Sequence, residues 1–287
     1  MGIPRHPCAE EARRLSREGS KVMTQQKGFF YPRSVTGSSS LLPPPPWYYA
    51  GDLLTVEYRT DPKFIADILP APLTLAAEDP GAVALIWADW QSCGGTHEEM
   101  LDPVRAQYKE AFAVVRCAFE GRTYSRCIYI WVDKDFAMLR GIHQGYPKKF
   151  GSIHMTRPHP FAPAPQVASG GKFGATLAAA DRRLAEAVIT LKGPAERNGF
   201  VNGHPMAHHR WLPAIDGKGD AHAELIESSG AKFEGGQPFA ASVDHFALFD
   251  SPTEELSHLK PKEIIGGYYR QIGVVWNGGK SLVPEIK

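Results

Sequence analysis

The chain has little cysteine, little surplus charge and no long apolar run. Cys8, Cys93, Cys117 and Cys127 are its four cysteines. No two are spaced as Cys-x-x-Cys, which argues against a zinc knuckle and a thioredoxin-type redox centre. Cys117 and Cys127 stand in apolar stretches, where a thiol acts as a small hydrophobe, so a reduced, cytoplasmic setting is expected. The net charge of +1 leaves no electrostatic footprint for nucleic acid or an anionic membrane. No apolar stretch approaches the ~20 residues of a membrane span. The first residues lack the apolar centre of a secretory signal. Glu10, Glu11 and Glu18 are out of keeping with an acid-poor transit peptide. Gly170-Gly171-Lys172-Phe173-Gly174 lacks the spacing of a phosphate-binding loop. His204, His208 and His209 are the densest histidines, but no further ligand accompanies them, and they read as alternating core and surface positions. Neither metal nor cofactor is expected.

The 287 residues, 43% hydrophobic and 22% charged, suit a globular protein with a sizeable core. Residues 1–46 read as a disordered or extended segment. Glu11 to Glu18 can form a short helix with a thin apolar face, Arg13-Arg14-Leu15-Ser16 is a solvated charge run, and Pro43 to Pro46 suggest polyproline II. Residues 47–287 are expected to form a single domain. Leu53 to Tyr58 reads as a strand. Asp61-Pro62 then caps a short helix that Pro70 and Pro72 close. Val83 to Trp90 is a strongly apolar strand, and Glu110 to Phe119 with Tyr124 to Val132 form a hairpin. Asp133 is placed as the cap of a helical turn reaching about His143. Lys148 to Met155 is extended. Further strands are expected over 172–177, 184–191, 207–212, 222–227, 242–249 and 264–276, with a helix as the competing assignment for Asp181 to Ala187. Nine or ten short strands with few helices make an α+β chain dominated by a curved or closed antiparallel sheet.

The chemistry centres on Gly145-Tyr146-Pro147-Lys148-Lys149-Phe150-Gly151. Apolar and aromatic flanks leave a lysine poorly solvated, which disfavours its ammonium form, and a neutral amine can form a Schiff base with a ketone. From an ordinary pKa near 10.4, freeing half the amines at pH 7 takes ~4–5 kcal/mol. A like charge ~6 Å away contributes ~3 kcal/mol at an effective dielectric near 20. On a strand the two lysines point to opposite faces, so burial must supply most of the shift. Tyr108 and Glu110, two apart at a strand start, share a face, and a carboxylate beside an iminium can move protons on and off carbon. Gln144, four residues before Lys148, can donate to a carboxylate without adding charge.

The stretch Gly141-Ile142-His143-Gln144-Gly145-Tyr146-Pro147-Lys148-Lys149-Phe150-Gly151 resembles the catalytic segment of the acetoacetate decarboxylase-like superfamily. So, in order, do Val56 to Asp61, Tyr108-Lys109-Glu110, Leu248-Phe249-Asp250 and Pro261-Lys262-Glu263-Ile264. The resemblance implies a cone-like β-barrel enclosing the site and a homo-oligomer. It makes Lys148 the Schiff-base residue, Lys149 an outward-facing helper that perturbs its pKa, and Glu110 a pocket carboxylate. The arginine that decarboxylases carry falls on Gly51, and their additional glutamate falls near Leu85. With both charges missing, Tyr108, Glu110, Gln144 and Lys148 resemble instead the aldolase-dehydratase branch, in which Tyr268 or Tyr269 matches a pocket tyrosine. The expected function is therefore a cofactor-free lyase acting on a small oxo acid, condensing pyruvate with an aldehyde. A 3-oxo-acid decarboxylase and a non-catalytic ligand-binding barrel are the alternatives.

Overall fold

The computed structural model describes residues 25–197, 199–228 and 232–286. The expected helix over 11–18 and the Arg13 to Ser16 run lie outside the described residues. Contacts divide the chain into 1–43 and 44–287. Within the first unit, Lys27 and Ser34 exchange backbone hydrogen bonds of 2.7 and 3.0 Å, and the Ser40 hydroxyl accepts from the Phe30 N–H at 3.2 Å.

The second unit contains fifteen strands among the described residues. They are β1 (Trp47–Arg59), β2 (Thr74–Leu75), β3 (Ala82–Cys93), β4 (Gln107–Phe119), β5 (Arg122–Val132), β6 (Lys148–Phe150), β7 (Ser152–Met155) and β8 (Lys172–Ala179). Then follow β9 (Arg182–Pro194), β10 (Met206–Pro213), β11 (Asp220–Ser228), β12 (Lys232–Gly235), β13 (Phe239–Leu248), β14 (Glu263–Trp276) and β15 (Gly279–Val283). Three short α-helices intervene: α1 (Pro62–Ile68), α2 (Pro103–Ala106) and α3 (Asp135–Gln144). None of the described helices is long and apolar enough to cross a membrane.

The strand order is β15-β11-β10-β5-β4-β3-β1-β14-β13-β9-β8-β7, an open hydrogen-bonded path. Most pairs are antiparallel, but β5–β6 and β5–β10 are parallel. The β5–β6 pair needs a crossover, which α3 supplies. The central strands are covered on both faces. Ala82 to Ala88 are all buried, the pattern of a strand with no solvent face. On one face Leu54, Val56, Leu85, Trp87, Ala113 and Val115 join the main core. The other face carries the site.

Asp61 accepts from the Lys63 N–H and caps α1, as its position before Pro62 predicts. Asp133 does not cap α3. Its carboxylate accepts from the Lys109 N–H at 2.7 Å, tying the end of β5 to the start of β4, and the cap position is Lys134. Arg182 to Ala187 is strand rather than helix, and Asp181 lies in the turn before it. Ala180 and Asp181 both take positive φ, 47° and 59°, and this turn reverses β8 into β9 before a helix can start. β2, β12 and β15 are too short to show a period in sequence.

Candidate active site

Lys148 is set in place by a helix end and a short strand. Gly145 caps α3 in the left-handed region at φ 76°, where glycine carries no steric penalty. The Tyr146 N–H then bonds back to the Gly141 carbonyl at 2.8 Å, and the chain enters β6. Successive residues on β6 face opposite ways. Lys148 turns inward with 5% of its side chain exposed, whereas Lys149 is 52% exposed and pairs with Glu254 at 2.6 Å. Lys149 is therefore held on the far face with its charge matched. The Lys148 stem passes directly over Gly141 of α3, and any β-carbon there would overlap it.

The Lys148 amine donates to Glu110 Oε2 at 3.1 Å. The other oxygen of Glu110 accepts from the Trp90 indole N–H at 2.9 Å. Strand register explains the trio: Trp90 pairs with Tyr108, and Ala88 with Glu110. Trp90 reaches Glu110 by folding over Gly51. A β-carbon at position 51 would sit 2.6 Å from the indole, so no arginine fits at that position while the indole lies there. Leu85 lies in the main core on the opposite face. Lys148 also stands 5.5 Å from the Tyr108 ring centroid and 5.8 Å from that of Tyr146, within the range of cation–π attraction.

α3 brings Phe136, Arg140 and Gln144 together at i, i+4 and i+8, all buried. The Arg140 guanidinium donates to the Ser92 hydroxyl at 2.6 Å and lies over the Trp47, Tyr49 and Phe136 rings. Burial pushes the Tyr49 phenol up to about 12, against the pull of Arg140 and of hydrogen bonding by Gln144. Burial likewise drives Tyr108 and Tyr146 well above the ordinary phenol value. All three are therefore neutral donors at physiological pH.

These groups meet in a cavity of about 390 Å³, lined by Lys148, Glu110, Tyr108, Gln144, Tyr49 and Trp90 among others. Lys148, Glu110, Tyr108 and Gln144 are the residues picked out in the sequence. Tyr268 and Tyr269 do not line this cavity. Tyr269 is fully buried on the core face, stacked on Phe173 with centroids 4.5 Å apart. Tyr268 has the pocket-side parity but lies beyond the cavity, within the field of Glu57. From β14 it is Arg270, Ile272, Val274 and Trp276 that line it. Sequence reasoning missed Trp90 and Arg270. An arginine, the one charged residue in the run 264–276, was a readable signal, whereas the Trp90–Glu110 bond depends on strand pairing.

The three histidines do not converge. His204 lies 3.5 Å from Glu78, His208 Nε2 accepts from the Cys127 N–H at 3.4 Å, and His209 bonds Arg126 and the Ala71 carbonyl. Among the described residues no three His, Cys, Asp or Glu side chains gather as a metal-binding group.

The sequence model of the family named acetoacetate decarboxylase (ADC) matches residues 30–284. No curated protein matches. Among solved structures, the enduracididine biosynthesis enzyme MppR complexed with pyruvate superposes with a TM-score of 0.84 at 34% identity, covering 91% of this chain and 99% of that one. MppR complexed with the condensation product of pyruvate and imidazole 4-carboxaldehyde gives the same score and identity, covering 91% and 98%. An acetoacetate decarboxylase-like enzyme from Sphingomonas wittichii RW1 is 26% identical, with a TM-score of 0.81 over 89% of this chain and 99% of that one.

Proposed function

The chain belongs to the acetoacetate decarboxylase family, and from that premise we propose that it is a Schiff-base lyase condensing pyruvate with an aldehyde and then removing water. One observation carries the reading: a buried lysine amine 3.1 Å from a carboxylate, in a cavity whose remaining polar lining near the pair is neutral. The likeness to MppR, which was solved with pyruvate and with a pyruvate–aldehyde condensation product, supports the choice of substrates.

In this mechanism Glu110 takes a proton from the Lys148 ammonium, and the free amine attacks the pyruvate ketone. Glu110 passes that proton to the carbinolamine hydroxyl, which leaves as water to give an iminium and frees the carboxylate. Glu110 then removes a proton from the adjacent methyl group, leaving an enamine whose carbon attacks the aldehyde carbon. The new alkoxide takes that proton back from Glu110. Loss of a second proton from the former methyl carbon expels the hydroxyl as water, and hydrolysis returns the lysine and an unsaturated oxo acid. Gln144 and Tyr108 hold the pyruvate carboxylate, which lies directly beside the imine carbon. The chemistry needs no cofactor. Acetoacetate instead carries its carboxylate one carbon further out, and neither Gly51 nor Leu85 offers a charge to grip it.

The finer architectural reading is that the curved sheet wraps the cavity as a cone. The sheet's curvature is supported by packing of β7 against β3, β4 and β5 on the core face, where Ile153 joins the main core. Residues 47–287 are taken as the catalytic domain, with residues 1–46 outside it, and the protein as a homo-oligomer, which light scattering tests. The buried free thiols Cys93, Cys117 and Cys127 support a reducing, cytoplasmic setting.

The deciding experiment supplies pyruvate with benzaldehyde and, separately, acetoacetate. Expected are a dehydrated aldol product and little carbon dioxide. Carbon dioxide released from acetoacetate at an enzymatic rate, on the order of 1–10³ per second, without any condensation would make the protein a decarboxylase. No borohydride-trapped adduct with either acid would leave a binding barrel.

A further inference from the structure

The cavity holds one more charge than the proposed chemistry uses. Lys148 and Glu110 match each other, while Arg270 lines the same cavity. The Arg270 Nε is buried without a hydrogen-bond partner, and no described carboxylate pairs with the side chain. Glu57 is the carboxylate whose field reaches it, but no hydrogen bond joins the two, and the Glu57 Oε2 is itself buried without a partner. Its Oε1 accepts from the Phe200 and Val201 N–H groups at 2.9 and 3.1 Å. Burial also pushes the Glu57 carboxyl above its usual range, which weakens it as a counter-ion. Burial lowers the Arg270 guanidinium to about 10, against the pull of Glu57, so it remains a cation at neutral pH.

Register places this cation relative to the reacting lysine. Arg270 pairs with Leu53, Leu53 with Ala88, and Ala88 with Glu110. Laterally paired residues share a face, so the four form one row across the cavity floor. Arg270 and Glu110 end that row three strand spacings apart, roughly 14 Å between Cα atoms. Between them stand leucine and alanine. The row thus has a reacting end, an apolar middle and a cationic end. The volume of about 390 Å³ falls within the ~300–1,000 Å³ of sites for small organic ligands, with room for a second reactant beside pyruvate.

We infer that Arg270 receives a carboxylate carried by the aldehyde partner, so that the preferred acceptor has an apolar body with its aldehyde at one end and an anionic group at the other. A planar guanidinium with a free fork is suited to a carboxylate, and the pyruvate carboxylate is already served beside the imine. The inference rests on the aldol reading for the identity of the two reactants. Its test does not need turnover.

Binding of 4-carboxybenzyl alcohol and of benzyl alcohol, unreactive stand-ins for the two aldehydes, is measured by calorimetry on the wild-type protein, Arg270→Gln and Arg270→Lys. The wild type is expected to bind the carboxylated alcohol on the order of tenfold or more tightly than the neutral one. Arg270→Gln is expected to erase that preference and Arg270→Lys to keep part of it. Equal binding of the two alcohols by wild type, or a preference that survives in Arg270→Gln, overturns the inference. Should Arg270→Gln fail to fold, the wild-type comparison and Arg270→Lys still decide. In parallel, pyruvate is trapped with borohydride. No adduct on Lys148 sinks the aldol reading and leaves the anion result standing on its own. A requirement for more than about tenfold higher pyruvate in Arg270→Gln would assign Arg270 to the pyruvate carboxylate and overturn its acceptor role.

Discussion

Two adjacent lysines have opposite fates because a strand alternates. Lys148 is enclosed and bonded to Glu110, while Lys149 is held outside by Glu254. Lys148→Ala is therefore expected to abolish borohydride trapping of pyruvate, and Lys149→Ala to retain most of it. An adduct mapped to Lys149 in the wild-type protein would reverse the roles. In the proposed mechanism Glu110 moves protons at carbon, so Glu110→Gln is expected to slow turnover by roughly 10²–10⁴ while an adduct still forms. Undiminished turnover in that variant removes Glu110 from the mechanism. Trp90 touches the same pair and Arg270 stands at the far end of the same cavity, both far from it in sequence, which is why the residue pattern named Glu110 and passed over both.

The element that decides the site is the α3–β6 junction. Its left-handed glycine turns the chain so that Gln144 and Lys148 both face the cavity. A β-carbon on Gly145 would stand 2.7 Å from the His209 carbonyl oxygen and 2.9 Å from the His208 β-carbon. It would also incur the roughly 1–2 kcal/mol cost of a left-handed L-residue. Gly145→Ala is expected to lower Tm and, because relief of the clash must move the junction, to cut pyruvate trapping by more than the loss of folded protein explains. Trapping that follows the folded fraction alone would show that the junction does not position Lys148. The Gly-Tyr-Pro-Lys sequence announced a turn here. The neighbours that make glycine necessary, His208 and His209 on β10, were not readable.

For the whole molecule, the sheet depends on buried histidines that must stay neutral. Arg126 donates to His209 Nδ1 at 3.0 Å, so the ring proton sits on Nε2 and is donated to the Ala71 carbonyl at 2.9 Å. Burial, reinforced by the Arg126 charge, lowers His209 from 6.5 to about 4, and burial drives His208 well below its usual range. A depressed folded pKa means that the unfolded chain binds the proton first. This stability is thus complete above about pH 6.5 and is lost as pH falls from there to about 4. Tm is expected to decline across that window, above the range where most carboxylates titrate, and His209→Gln should flatten the decline. A Tm constant between pH 7 and 4.5 would exclude the effect.

The sequence by itself determined the elements and picked out the lysine–glutamate end of the cavity. Alternation and turn residues placed the long strands, Asp61-Pro62 opened α1, and Tyr108, Glu110, Gln144 and Lys148 were named from their spacing and from their likeness to a known family. Short-range rules suffice there, because capping and strand alternation act within a few residues. Tertiary structure decided the rest. Strand pairing folded Trp90 over Gly51 onto Glu110, and it put Tyr269 in the core. It left Arg270 at the end of the row that begins with Glu110. Those outcomes depend on register between strands far apart in the chain, and a shift of one residue would exchange every inward side chain for an outward one.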